Sequence, residues 1–312
     1  MTEHHLKFAV VGVGGLGGFF GGRLAAAGHD VTFVARGAHL DVLRRDGLTV
    51  RGPDTDLHVE RVRAVGDSQD VGEADVVLLC VKMAQLDEAL ERLKPVIGPG
   101  TAVVTVQNGV DAPQQVADAL GRDAVLPGIA RVNTYLEAPG VVRHVGGLGA
   151  LAFAEWDNRP SDRVRQLRAV LGAAGVKSPA PDDVWADLWA KFLFVAPCGG
   201  LGAVTGEPFG VLRSRPGTRA VLRDAMTEVQ AVAGARGVAL PDDIVATSLD
   251  FLDRQPAEGT PSLHRDILAG RPNELEAWTG AVVRLGAATG TPTPVNSLLY
   301  ELAALRADRA AN

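Results

Sequence analysis

Cysteine is scarce in this chain: Cys80 and Cys198 are the only two in 312 residues. Both sit in apolar surroundings, which leaves no disulfide framework. They read as small buried hydrophobes of a protein kept in a reducing compartment. Long apolar runs are missing as well, with no stretch of about 18 apolar residues to suggest a transmembrane span. Positive charge is in deficit, 31 Lys and Arg against 37 Asp and Glu for a net charge of −6. With no basic tract and no aromatic–basic interleaving, nucleic acid is not an expected partner. Metal-ligand spacing is absent, and the adjacent His4 and His5 read as neither a metal site nor a tag remnant. The opening Met1-Thr-Glu-His-His lacks a signal-peptide pattern, so the expectation is a cytoplasmic protein with no membrane partner.

What the chain has is length, an ordinary apolar share and glycine in a telling place. Its 312 residues can bury a large core and suggest two domains, and 46% hydrophobic with 22% charged residues is usual for a globular protein. Lys7-Phe-Ala-Val-Val reads as a short buried strand, and Gly12, Val13, Gly14, Gly15, Leu16 and Gly17 follow it directly. An apolar, small-residue helix pattern then runs to a stop at Gly28. In that order a G-x-G-x-x-G motif means dinucleotide binding. The first glycine permits the turn, the second admits a pyrophosphate, and the third packs helix on strand. A second strand at 31–35 runs into Arg36, with no carboxylate at its end to accept from a ribose 2′-hydroxyl. An arginine there suits a 2′-phosphate and favours NADP. A solvated surface arginine is the plainer alternative.

Up to about residue 180 the pattern alternates strand and helix, with strands at 75–81 and 102–106 and helices at 38–46, 84–95 and 111–120. Further strands at 124–133, 141–145 and 148–154 read as an antiparallel extension, and a helix at 161–174 closes this half. Beyond Asp182 only helical periodicity remains, at 182–196, 208–236, 241–255, 260–269, 273–289 and 294–307. The expected fold class is α/β: an N-terminal Rossmann-type doubly wound sheet (1–180) followed by an all-α C-terminal domain (181–312).

Candidate chemistry belongs where two such domains meet, at the carboxyl ends of the parallel strands. Lys82 ends the strand at 75–81, and Asn108 follows the strand at 102–106 within Gln107-Asn108-Gly109. Each is either a ligand-facing residue or an ordinary turn residue. Lys191 interrupts the apolar Leu188-Trp-Ala-Lys191-Phe-Leu-Phe. Burial would lower its pKa and suit it to protonate a carbonyl; a lysine reaching out to water is the alternative. Glu274 at a helix start and Ser262 as a helix cap are unremarkable taken singly.

Together these residues carry a resemblance. The chain resembles the ketopantoate reductase (2-dehydropantoate 2-reductase) family over essentially its full length. The shared motifs are Gly12 to Gly17, Val81-Lys82-x-x-Gln85, Gln107-Asn108-Gly109, Leu188-Trp-x-Lys191, Ser262-x-x-x-Asp266-Ile267 and Glu274. The resemblance implies NADPH-dependent reduction of a 2-oxo acid, ketopantoate to pantoate, in pantothenate and CoA biosynthesis. It makes Lys191 the general acid and Glu274 the residue that orients substrate and tunes the lysine. Ser262 would bind the substrate carboxylate, Lys82 and Asn108 would lie between cofactor and substrate, and Arg36 would read the 2′-phosphate. A homodimer is compatible with the apolar helical faces.

The chain departs from that pattern at two positions. Pantoate-forming relatives typically carry asparagines four and eight residues after the lysine, where this sequence has Val195 and Gly199. Pro197 is expected to break the helix there. These departures leave open a reductase of a different, more apolar 2-oxo acid, or a catalytically decayed NADPH-binding sensor.

Overall fold

Alternate residues of the first strand, β1 (Lys7–Val11), enter two different cores. Phe8 and Val10 pack with Phe19, Phe20, Leu24 and Phe33, whereas Ala9 and Val11 pack with Val77, Leu79, Leu86 and Val103. A strand buried on both faces must be apolar throughout, which is why these segments read as continuous runs. The structure, a computed structural model, describes residues 6–53 and 56–311, so His4 and His5 lie outside the described residues. The chain divides into two compact units. The first is the chain up to Gln107 together with Ala112–Val184; the second is Asn108–Asp111 together with the chain from Trp185 onward.

In the first unit β1 is followed by α1 (Gly15–Ala26), β2 (Asp30–Val34), α2 (Gly37–Asp46), β3 (Leu48–Arg51), β4 (Leu57–Val59) and β5 (Arg63–Val65). Then come β6 (Ala74–Leu79), α3 (Leu86–Leu93), β7 (Ile97–Thr105), α4 (Ala112–Leu120), β8 (Val125–Ala138), β9 (Val141–Phe153) and α5 (Asp162–Ala173). The described strands form one sheet in the order β4-β3-β9-β8-β7-β6-β1-β2-β5. From β5 to β8 every pairing is parallel. The chain goes to β2 on one side of β1 and to β6 on the other. That reversal is the switch point at which open α/β sheets bind ligands.

The antiparallel extension is present but differently divided. β8 and β9 pair from Gly128 with Phe153 to Ala138 with Val141, and register shifts let each continue as one long strand. β3, β4 and β5 have no counterpart in the sequence reading. They are three or four residues long, too short to show a period, and only their sheet neighbours make them strands.

The second unit is helical: α6 (Val184–Thr205), α7 (Phe209–Ser214), α8 (Pro216–Ala235), α9 (Ile244–Asp253), α10 (Ser262–Leu268), α11 (Thr279–Thr289) and α12 (Pro294–Ala311). Three expectations are corrected here. Pro197 does not break its helix, because α6 runs through it to Thr205. An internal proline costs about 3 kcal/mol, and each fully buried apolar side chain returns about 1.5–3 kcal/mol. Phe192, Leu193, Leu201 and their neighbours on both sides of the proline are buried, so packing outweighs the lost bond. The segment 208–236 is two helices, since Arg215 is held extended (φ −88°, ψ 123°) before Pro216, which opens α8. The third concerns α11, which begins at Thr279 rather than 273. Asn273 Oδ1 accepts the Leu275 N–H at 3.1 Å and draws the backbone into a turn instead.

By length and composition α6 could cross a membrane. However, 67% of its most apolar window is buried inside the protein, as in the core helix of a globular fold.

Candidate active site

The glycine motif forms a turn that other residues could not make. β1 ends at Val11 and α1 begins at Gly15, so Gly12, Val13 and Gly14 span the whole reversal. Gly12 has φ +93°, and a Cβ there would lie 2.8 Å from the Val81 nitrogen. A Cβ on Gly17 would collide with the Gly12 carbonyl oxygen, so α1 sits directly on the turn. Gly14 is different, because nothing lies within 4 Å of its missing Cβ. Helix α1 has no side-chain cap and no acidic residue in its first turn, which is made by Gly15, Leu16 and Gly17. Its N–H groups and positive dipole end are thus left for an anion. The donors and the open face fit the pyrophosphate of a dinucleotide.

Arg36 sits where β2 gives way to α2, with extended backbone and a side chain 58% exposed. Its fork is already engaged. Nη2 donates to Glu88 Oε1 at 2.8 Å and Nη1 donates to Glu88 Oε2 at 3.3 Å. The pairing holds the Glu88 carboxyl below the usual carboxylate range and pushes the guanidinium up. Glu88 lies on α3, 52 residues away in sequence, and no local motif points to it.

Lys82 leaves β6 in extended conformation (φ −68°, ψ 156°) with its side chain exposed. Gln107, 6% exposed, straps the carboxyl ends of two strands together. Its Nε2 donates to the carbonyls of Leu79 (2.8 Å) and Val81 (3.2 Å), on either side of Cys80. The Cys80 thiol, pushed up to about 12 by burial, stays protonated, and burial raises Cys198 likewise.

Within the second unit, Asn108 and Lys191 come together. Lys191 Nζ donates to Asn108 Oδ1 at 2.8 Å. Gly109, at φ +106°, approaches the turn that precedes α11, and a Cβ on it would lie 2.8 Å from the Ala277 carbonyl oxygen. Glu274 opens that turn, its carbonyl accepting from the N–H groups of Ala277 and Trp278 at 3.1 Å. Two residues overlooked in the sequence fasten the loop. Arg284 Nη2 donates to Asp111 Oδ2 at 2.7 Å, and Arg284 Nη1 donates to the Glu276 carbonyl at 3.0 Å. Glu274 is half-buried and lies five residues before α11, not at a helix start.

Ser262, also half-buried, is the first residue of α10 and not its cap; Pro261 holds the cap position. The segments that carry Ser262 and Glu274 both reach α6. Leu263, next to Ser262, and Trp278, four residues after Glu274, meet at Gly199. Lys191, Val195 and Gly199 recur every four residues along one face of α6.

The ketopantoate reductase PanE/ApbA family matches residues 8–158, and its C-terminal domain matches residues 183–307. A 2-dehydropantoate 2-reductase of Mesorhizobium japonicum is 30% identical over 93% of this chain and 94% of its own length. A PanE/ApbA family ketopantoate reductase from Ralstonia eutropha is similar in structure, with a TM-score of 0.90 at 34% identity over 98% of this chain and 100% of that one. So is a 2-dehydropantoate 2-reductase from Geobacter metallireducens, with a TM-score of 0.90 at 30% identity over 96% and 99% of the two chains. The chain belongs to the ketopantoate reductase family, and it is an oxidoreductase that acts on CH–OH groups.

Proposed function

We propose that this enzyme uses NADPH to reduce 2-dehydropantoate to pantoate, a step of pantothenate and CoA biosynthesis, in the cytoplasm. The observation that carries this reading is the Lys191 ammonium on Asn108 Oδ1 at 2.8 Å, with Gly109 seated on the turn that Glu274 opens. In this reading Gly12, Val13, Gly14, Gly15, Leu16 and Gly17 cradle the pyrophosphate, Arg36 faces the 2′-phosphate, and Lys82 and Asn108 complete the cofactor and substrate contacts. When bound, NADPH supplies the hydride for the carbonyl carbon. Lys191 holds the proton at the carbonyl oxygen and gives it up as that oxygen becomes a hydroxyl. Asn108 accepts from the ammonium and fixes its direction, so the proton is delivered without searching. Glu274 orients the substrate hydroxyl, and Ser262 binds the carboxylate. The names of the relatives support 2-dehydropantoate as the substrate, and they give no support to a decayed sensor or a different oxo acid. A homodimer is part of this reading, supported by the exposed Leu298, Leu302 and Leu305 on α12.

The test is NADPH oxidation on addition of ketopantoate, in wild type and Lys191→Ala. Loss of the general acid lowers kcat by about 10²–10⁴-fold, with NADPH affinity unchanged. Equal losses of turnover and NADPH binding would remove Lys191 from the acid role. Full turnover in the mutant would do the same.

A further inference from the structure

The sequence shows no carboxylate at the end of β2, but the fold supplies one. Glu88, in the first turn of α3, meets the Nη1/Nη2 edge of Arg36 with both of its oxygens, at 3.3 and 2.8 Å. It also has a second partner: Arg92, four residues along the same helix, has Nη2 3.3 Å from Glu88 Oε1. Arg92 is in turn paired with Asp67, whose side chain also accepts from the Gln69 N–H. Arg36, Glu88, Arg92 and Asp67 thus make a chain of alternating charge, with its last cation just past the carboxyl end of β2. Arg36 is 58% and Glu88 49% exposed, so the contact is within reach of solvent and of a ligand.

We propose that Glu88 sets the cofactor preference of this enzyme by competing with the 2′-phosphate for Arg36. The inference rests on the reading of Arg36 as the residue that meets NADPH. A 2′-phosphate and a carboxylate cannot share one guanidinium edge without like-charge repulsion, so NADPH binding requires Glu88 to let go. Arg92 gives the released carboxylate somewhere to turn, which keeps the exchange reversible and its cost small. The NADH ribose carries a hydroxyl at that position. It leaves the ion pair intact and can donate to Glu88, the task a carboxylate at the strand end performs in NAD-preferring sites. Glu88 therefore works against NADPH and for NADH. The magnitude is bounded by what an exposed ion pair contributes, a factor of about two to five in Kd, and it shrinks as salt rises.

The experiment is titration of NADPH and NADH onto wild type, Glu88→Gln, Glu88→Asp, Arg36→Ala and the double variant Glu88→Gln/Arg36→Ala. The expected result is about two- to fivefold tighter NADPH binding in Glu88→Gln, with NADH not tightened. Glu88→Asp, which keeps the charge, stays near wild type, and the gain disappears when Arg36 is absent. Glu88→Gln that leaves the NADPH-to-NADH ratio unchanged, or weakens NADPH, overturns the proposal: the carboxylate then only holds Arg36 in place. Two other results are distinguishable from that failure. Wild type that binds neither dinucleotide sinks the cofactor reading, and this inference with it. NADPH binding that is unchanged in Arg36→Ala keeps the cofactor but removes Arg36 as its reader, which also overturns the competition.

Discussion

At Gly199 a methyl group is already too large. A Cβ there would lie 2.8 Å from Cε3 and 2.9 Å from Cζ3 of Trp278, with Leu263 Cδ2 at 3.2 Å. The position at which the family resemblance leads one to expect an asparagine is therefore closed by an indole ring, itself 2% exposed, whose Nε1 has no partner among the described residues. The substitution and the ring go together, because either one with the other's large form would overpack the site. Gly199→Asn alone is expected to destabilise by about 1–3 kcal/mol. In a Trp278→Leu background the same change is milder by ~1 kcal/mol, a coupling that a double-mutant cycle in urea measures. Strict additivity would show that the asparagine side chain finds room elsewhere. The departure at Gly199 is visible in the sequence, but its compensation is not, since Trp278 lies 79 positions away and only packing relates the two.

Among the elements, the loop Asn108–Asp111 is the most instructive. Its turn is legible: Asn-Gly predicts a reversal, and Gly109 takes φ +106°. Its attachment is not legible, because Arg284 on α11 and Lys191 on α6 hold it at either end. Arg284 donates to Asp111 and to the Glu276 carbonyl, while Glu276 accepts from the Tyr300 hydroxyl. Arg284→Ala should loosen the loop and let Asn108 drift from Lys191, lowering kcat by ~10-fold. Arg284 is 53% exposed and Asp111 20%, so water still screens the pair and stability should change by about 1 kcal/mol or less. Steady-state kinetics beside a melting curve separate the two effects. Unchanged kcat would mean that Lys191 and the Ala277 contact suffice to place the loop. The same limit explains α6, whose proline reads as a break because the groups that cover its side chains on both sides of Pro197 lie elsewhere in the chain.

For the whole molecule, two histidines give stability a pH dependence. His264 on α10 is 3% exposed, and burial together with Arg306 and Arg265 lowers its pKa. Burial also lowers His39, whose Nδ1 accepts the Gly140 N–H at 2.9 Å and so carries no proton there. In both, the folded pKa lies below the unfolded value of about 6.5. Above that value neither state binds the proton and these histidines add no slope. As pH falls below it the unfolded chain takes up protons first, so stability falls with pH. Tm should drop as pH falls from about 6.5 to about 5.5, and His264→Gln should flatten part of that drop. An identical slope in the variant would show that His264 does not titrate on unfolding.

By itself the sequence determined what short-range chemistry controls. A strand, a glycine turn and a helix in succession specify the phosphate loop, continuous apolar runs specify a sheet covered on both faces, and 3.6-residue periodicity specifies the helical half. The family motifs, read in order, named the residues from Lys82 to Glu274 as candidates. Tertiary structure alone decided the rest. It brought Glu88 to Arg36 and Arg284 to Asp111, closed Trp278 over Gly199, and made β3, β4 and β5 strands by pairing them. These are contacts between residues far apart in the chain. They depend on packing and sheet register, which no local window of sequence contains, and so the partners of the candidate residues appear only when the chain is folded.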